Sequence, residues 1–283
     1  MVRKESYKMG IYTKVSIGLS EIEITDKLKG LLMLEKAGFA VPEWIYLDNE
    51  EFWNYIKSGK LSEEVIMGIE KFIDKQNKAK SILYAIRAES KRGTKKQKRP
   101  PLSLLNVGIM CNEESKNENC ELYETYIKRA QLINMDIKYG RSFKEEILEN
   151  LKRFYIDMNS RMENEAGYNY GVIIKKMVFG NRNSFSGNGI VCRSMNKDAA
   201  INGVFLQEQV GIGVENGSWG KNEISFNALK KLNSNAYYKI ENDYLKIEKI
   251  FGNNIYLEFT IEEDSIYYLD FIYRRKNIYV GEE

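Results

Sequence analysis

Histidine is absent from all 283 residues. That excludes Ser-His-Asp and Cys-His nucleophilic mechanisms, imidazole metal sites and any phosphohistidine intermediate. Cysteine is scarce: Cys111, Cys120 and Cys192 are the whole set. Three thiols without histidine argue against a structural zinc site. An odd cysteine count, with no continuous apolar stretch behind the early basic residues, points to free thiols in a cytosolic chain rather than a secreted one. No apolar run approaches the roughly 18 residues of a membrane span. Neither sign of charge dominates, since 43 basic and 40 acidic residues leave +3, so nucleic acid is not an expected partner of the chain as a whole. Proline occurs three times, and two of those, Pro100 and Pro101, follow the single basic run, Lys91–Arg99. Chemistry here must rest on carboxylates, Lys, Arg, hydroxyls, backbone amides and a hard ion such as Mg²⁺.

Hydrophobic residues at 43% and charged residues at 29% are ordinary for a globular chain. The length suits one large domain or two modest ones. Periodicity predicts a helix over 20–36, carrying Leu28, Leu31, Leu32 and Leu34 and ended by Gly38. Further helices are expected at 49–57, 62–76, 121–138 and 142–163. Short strands are expected at 44–47, 81–87, 171–179, 189–192 and 203–206, with another apolar stretch at 102–110. Residues 254–261 and 265–272 alternate about a turn at Glu263-Asp264, the pattern of a β-hairpin. The fold class is α+β. A helix-rich lobe over 1–165 and a sheet-rich lobe over 166–283 are expected.

Four segments carry a resemblance. They are Lys29-Gly30 with Leu34–Pro42, then Tyr84-Ala85-Ile86-Arg87, then Met177-Val178-Phe179-Gly180-Asn181 with Ser186-Gly187-Asn188-Gly189, and finally Glu258-Phe259-Thr260-Ile261-Glu262 with Ile266–Leu269. In this order they resemble the N-terminal nucleotide-binding domain of the pyruvate phosphate dikinase and phosphoenolpyruvate synthase family, which has an ATP-grasp fold. The resemblance implies an ATP site in a cleft between the two lobes. It implies that Lys29 and Arg87 contact nucleotide phosphates. Lys175 and Lys176 would lie on the strand that leads to the adenine-reading hinge at Met177 and Val178. It implies that Glu258 holds Mg²⁺. The chain lacks the phosphorylated histidine of the complete dikinases.

Each position also has a plainer reading. Lys29 can be a solvated surface lysine, Arg87 a structural ion pair, Lys175 and Lys176 edge-strand lysines, and Glu258 a hairpin acid. Several family positions differ. The glycine before the lysine is Leu28, a second metal acid is Tyr256, an acidic segment aligns with Val210–Gly213, and the arginine near the chain's last strand is Ile272. Asp270 stands on the opposing hairpin strand, where cross-strand placement can bring it beside Glu258 as a second ligand. Arg274 keeps the strand face of Ile272.

Two functions therefore compete. One is an ATP-dependent phosphotransferase, chemistry that is mostly positioning and electrostatics, acting on an unknown acceptor or with a partner protein. The other is a degenerate ATP-grasp domain serving as a binding or regulatory module. Nucleic-acid binding through the basic run 91–99 is a third and weaker reading, and a solvated loop is its plain alternative.

Overall fold

The computed structural model describes residues 11–13, 26–76, 84–90, 104–106, 143–162, 170–176, 178, 180, 184–194, 200–207, 223–252 and 255–273. In chain order the elements are β1 (Ile11–Thr13), α1 (Asp26–Lys36), β2 (Trp44–Leu47), α2 (Asn49–Ser58), α3 (Glu63–Gln76), β3 (Tyr84–Ser90), β4 (Leu104–Asn106), α4 (Phe143–Met162), β5 (Tyr170–Lys176), β6 (Gly187–Arg193), β7 (Ile201–Gln207), β8 (Glu223–Ser225), α5 (Phe226–Leu232), α6 (Ser234–Phe251), β9 (Ile255–Glu262) and β10 (Ser265–Tyr273). The class is mixed α+β. The expected helix over 121–138, the basic run 91–99 and the segment 210–213 lie outside the described residues.

The chain divides into two units: residues 1–28 with 43–177, and residues 29–42 with 178–283. These differ from lobes of 1–165 and 166–283. Residues 29–42 group with the C-terminal part, and the crossover follows Met177. Each unit has its own five-stranded sheet.

In the first unit the strand order is β1-β2-β5-β3-β4, all antiparallel. One face of β5 carries Val172 and Ile174, opposite Leu47 and Ile45 on β2, and Ile174 also opposes Ile86 on β3. These pack with Phe52, Ile69, Ile73, Ile147 and Phe154 from α2, α3 and α4 in one apolar core. Each such side chain contributes about 1.5–3 kcal/mol by leaving water. The entry of α2 is fixed by Asp48, whose Oδ1 accepts from the N–H groups of Glu50 at 3.0 Å and Glu51 at 3.2 Å.

In the second unit the order is β10-β9-β6-β7-β8, again antiparallel. Leu257, Phe259 and Ile261 of β9 alternate with half-buried Tyr256, Glu258 and Glu262. The apolar face receives two helices that the sequence patterns did not predict, α5 and α6. Phe226 of α5 meets Phe259 edge to face at 6.1 Å, and the Tyr244 hydroxyl of α6 donates to the Ile255 carbonyl at 3.1 Å. Asn233 caps α6 by accepting from the Ala236 N–H at 3.0 Å. Gly203 sits where β6 and β7 crowd: a Cβ there would fall 2.1 Å from the Ile190 carbonyl oxygen.

Helix α1 ends as its sequence predicts. Gly38 has φ +83°, a conformation cheap only for glycine. The Phe39 N–H donates to Leu34 O at 3.0 Å, and the Gly38 N–H donates to Glu35 O at 2.9 Å. That pair closes the helix in a Schellman motif. The chain then runs beside β10, where the Tyr268 N–H donates to Ala40 O at 2.8 Å.

Candidate functional site

The β9–β10 hairpin turns at Glu263 and Asp264. Glu263 has φ 54°, and its N–H donates to the buried Ser186 hydroxyl at 3.0 Å. From the turn the ladder runs regularly to Tyr268 opposite Phe259. A register shift between Tyr268 and Asp270 then sets Asp270 opposite Glu258. Leu269 is the extra residue, as in a β-bulge. Were the ladder to continue in register, Leu269 would oppose Glu258 and Asp270 would oppose Leu257 on the apolar face. The bulge carries the carboxylate onto the face of Glu258, and directly opposed residues have Cβ atoms about 4.5–5.5 Å apart.

Asp270 is 6% exposed, whereas Glu258 is half-buried. Helix α1 approaches this carboxylate through Gly30, where a Cβ would sit 3.3 Å from Asp270 Oδ1. Lys29, one residue earlier, is exposed. A polar strip adjoins Glu258 on the same face. Asn188 opposes Thr260 on the ladder, and the Thr260 hydroxyl donates to Asn188 Oδ1 at 2.7 Å. Thr260 lies inside the hairpin motif and Asn188 inside the glycine-bracketed segment, yet only their pairing marks them. Tyr256, which stands where the resemblance calls for a second acid, opposes Ile272 and Cys192.

The first unit holds the other cationic candidates. Lys175 opposes Trp44 and Ala85, while Arg87 opposes Ile173. By alternation Lys175 and Lys176 occupy opposite sheet faces. The two lysines therefore separate: Lys175 is 5% exposed, and Lys176 is half-buried opposite Tyr84. The strand that carries them is central in its sheet, between β2 and β3, and not an edge. On the face of Lys175, the Trp44 Nε1–H is buried and meets no acceptor among the described residues. Val178 is half-buried, and Met177 lies outside the described residues.

Burial governs the tyrosines of both units. It raises the pKa of Tyr84 and Tyr155 in the first, and of Tyr244 and Tyr268 in the second. The Asp243 charge and hydrogen bond raise Tyr268 further. Of these phenols, Tyr244 donates to the Ile255 carbonyl and Tyr268 to Asp243, each in its neutral form.

Among the described residues no three Cys, Asp or Glu side chains gather as a cation cage, and no helix is long and apolar enough to cross a membrane. The chain matches no family model, and no curated protein matches it.

Proposed function

We propose that the chain binds Mg·ATP in an ATP-grasp-type fold and acts as a phosphotransferase on an acceptor it does not itself supply. The observation that carries this reading is the pairing of Glu258 with Asp270 across the hairpin. Mg²⁺ is commonly held by one or two carboxylates, with substrate phosphates and water completing the octahedron. Two opposed carboxylates, with no third acid gathered beside them among the described residues, fit that donor set. Glu258 and Asp270 would hold the ion, which when bound would supply positive charge against the nucleotide phosphates. Lys29 and Arg87 would neutralise the remaining phosphate charge, Arg87 with a two-pronged guanidinium suited to phosphate oxygens. Lys175 and Lys176 would add positive charge on the strand that leads to Val178 and Met177, which would read adenine.

A second reading is favoured by Tyr256. Where a second carboxylate would complete the ion site, Tyr256 offers a phenol, opposite Cys192 on the ladder. A domain with fewer ion ligands can hold nucleotide as a regulatory module without transferring phosphate.

Thermal unfolding with ATP, Mg²⁺ and both together tests the proposal. A ligand specific to the folded state stabilises it by about 2.7 kcal/mol at a hundredfold excess over Kd. A Mg²⁺-dependent rise that Glu258→Ala and Asp270→Asn both abolish supports it. No rise with any nucleotide overturns it. A rise without phosphate transfer in a labelled-ATP assay selects the regulatory reading.

A further inference from the structure

A pocket of about 730 Å³ in the second unit lies apart from the paired carboxylates. Its size falls within the roughly 300–1,000 Å³ of small-molecule sites. The turn after α1, one side of α6 and part of β10 line it. One part is apolar. Phe39 meets Tyr268 edge to face with ring centroids 5.8 Å apart, and Ile250 and Ile266 extend that surface. Ile250 is 55% exposed although large and apolar.

The other part is cationic. Lys239, Lys246 and Lys249 of α6 line it together with buried Asp243. Asp243 is already committed: its Oδ2 accepts from the Tyr268 hydroxyl and from Lys239 Nζ, each at 2.7 Å. Lys246 Nζ is 3.7 Å from Oδ1, with its side chain 68% exposed. Lys249 is exposed and pairs with no carboxylate among the described residues. Three lysines against one carboxylate leave the lining at +2. The charge is placed at the rim and the apolar surface beside it, so the fitting ligand has a doubly charged head and an apolar body. A phosphomonoester carries about two negative charges at neutral pH.

We propose that this pocket binds a small phosphomonoester with an aryl or alkyl body. The phosphate sits between Lys246 and Lys249, and the body lies against Phe39, Ile250 and Ile266. Asp243 and Tyr268 hold Lys239 at the rim and set the spacing of the cationic wall.

Calorimetric titration of the full chain with phenyl phosphate, in EDTA so that Mg²⁺-dependent nucleotide binding is silent, tests this. Phenol and inorganic phosphate are the comparison probes. Phenyl phosphate binds more tightly than either, and Lys246→Ala with Lys249→Ala weakens it about tenfold or more, the scale of one lost charge-assisted contact. Both lysines are exposed, so the double variant folds. Lys231→Ala on α5, outside the pocket, leaves the affinity unchanged, and the Mg·ATP stabilisation survives in the double variant. Vesicles of phosphatidic acid in phosphatidylcholine distinguish the source. Capture lost in the double variant assigns a lipid headgroup, and binding of the free ester alone assigns a soluble metabolite. No binding of phenyl phosphate, or equal affinity in parent and double variant, overturns the proposal.

Discussion

Removing the Tyr268 hydroxyl should cost far more than removing the ion pair beside it, although both contacts have the same length. Tyr268 is 1% exposed and donates to Asp243 Oδ2 at 2.7 Å, the separation at which Lys239 Nζ meets the same oxygen. The Asp243 side chain is 8% exposed and that of Lys239 is 57% exposed. A hydrogen bond to a buried charged acceptor contributes about 1.5–3 kcal/mol. A helical (i, i+4) ion pair whose cation, as here, is more than half exposed contributes about 0.3–0.5 kcal/mol, and less when the cation precedes the acid. Tyr268→Phe keeps the ring and its packing on Phe39, so it removes the hydrogen bond and little else. Urea unfolding followed by circular dichroism should give a loss of about 1.5–3 kcal/mol for Tyr268→Phe and under about 1 kcal/mol for Lys239→Ala. The double variant measures their coupling through the shared oxygen. If Lys239→Ala is as damaging as Tyr268→Phe, the carboxylate is held by the lysine and the argument from burial fails.

Three further outcomes follow from single positions. Gly203→Ala places a Cβ 2.1 Å from the Ile190 carbonyl oxygen and 2.9 Å from Val191 Cα. Backbone must move, and a loss of about 1–3 kcal/mol or more is expected by the same unfolding assay; a neutral variant would show that β6 and β7 separate easily. Asp48→Ala removes the cap that accepts from two N–H groups of α2 and should cost about 0.5–2 kcal/mol, with Asp48→Asn nearly neutral. Burial raises the pKa of Glu51 above 4.5, against the lowering effect of its bonds to Ser62. The folded state then holds that proton more tightly than the unfolded state does, so stability is gained as pH falls through the folded value toward 4.5. The stability difference between parent and Glu51→Gln should shift in favour of the parent over that acid window, and a difference that is flat with pH refutes the assignment.

Local rules reached the hairpin, α2, α3 and the stop at Gly38, because each is announced by alternation, helical spacing, a cap or a left-handed glycine. They missed α5 and α6, whose buried stripe is built from tyrosines as much as aliphatics: Tyr237, Ile240, Tyr244 and Ile247 among many charges. Hydroxyl-bearing rings lower the apparent periodicity, although Asn233 was a legible cap. The facing of Asp270 was not legible in alternation, which alone puts it opposite Leu257. Only the bulge at Leu269 turns it toward Glu258, and nothing in that residue announces it. Likewise Lys175 and Lys176 are equivalent in sequence until the register with β2 and β3 assigns their faces.

The grouping of residues 29–42 with 178–283 bears on synthesis. A ribosome releases α1 long before the strands it belongs with. Leu31 and Leu34, fully buried in the finished fold, must wait while residues 43–177 are made, on the order of 10 s at typical translation rates. During that interval the leucine face of this otherwise charged helix has no native partner in the second unit. The C-terminal residues 178–283 made alone would meet the converse problem: β10 would be an uncovered edge, since its neighbour Ala40 would be missing. A synthetic peptide of residues 29–42 added to that fragment is the complement it lacks.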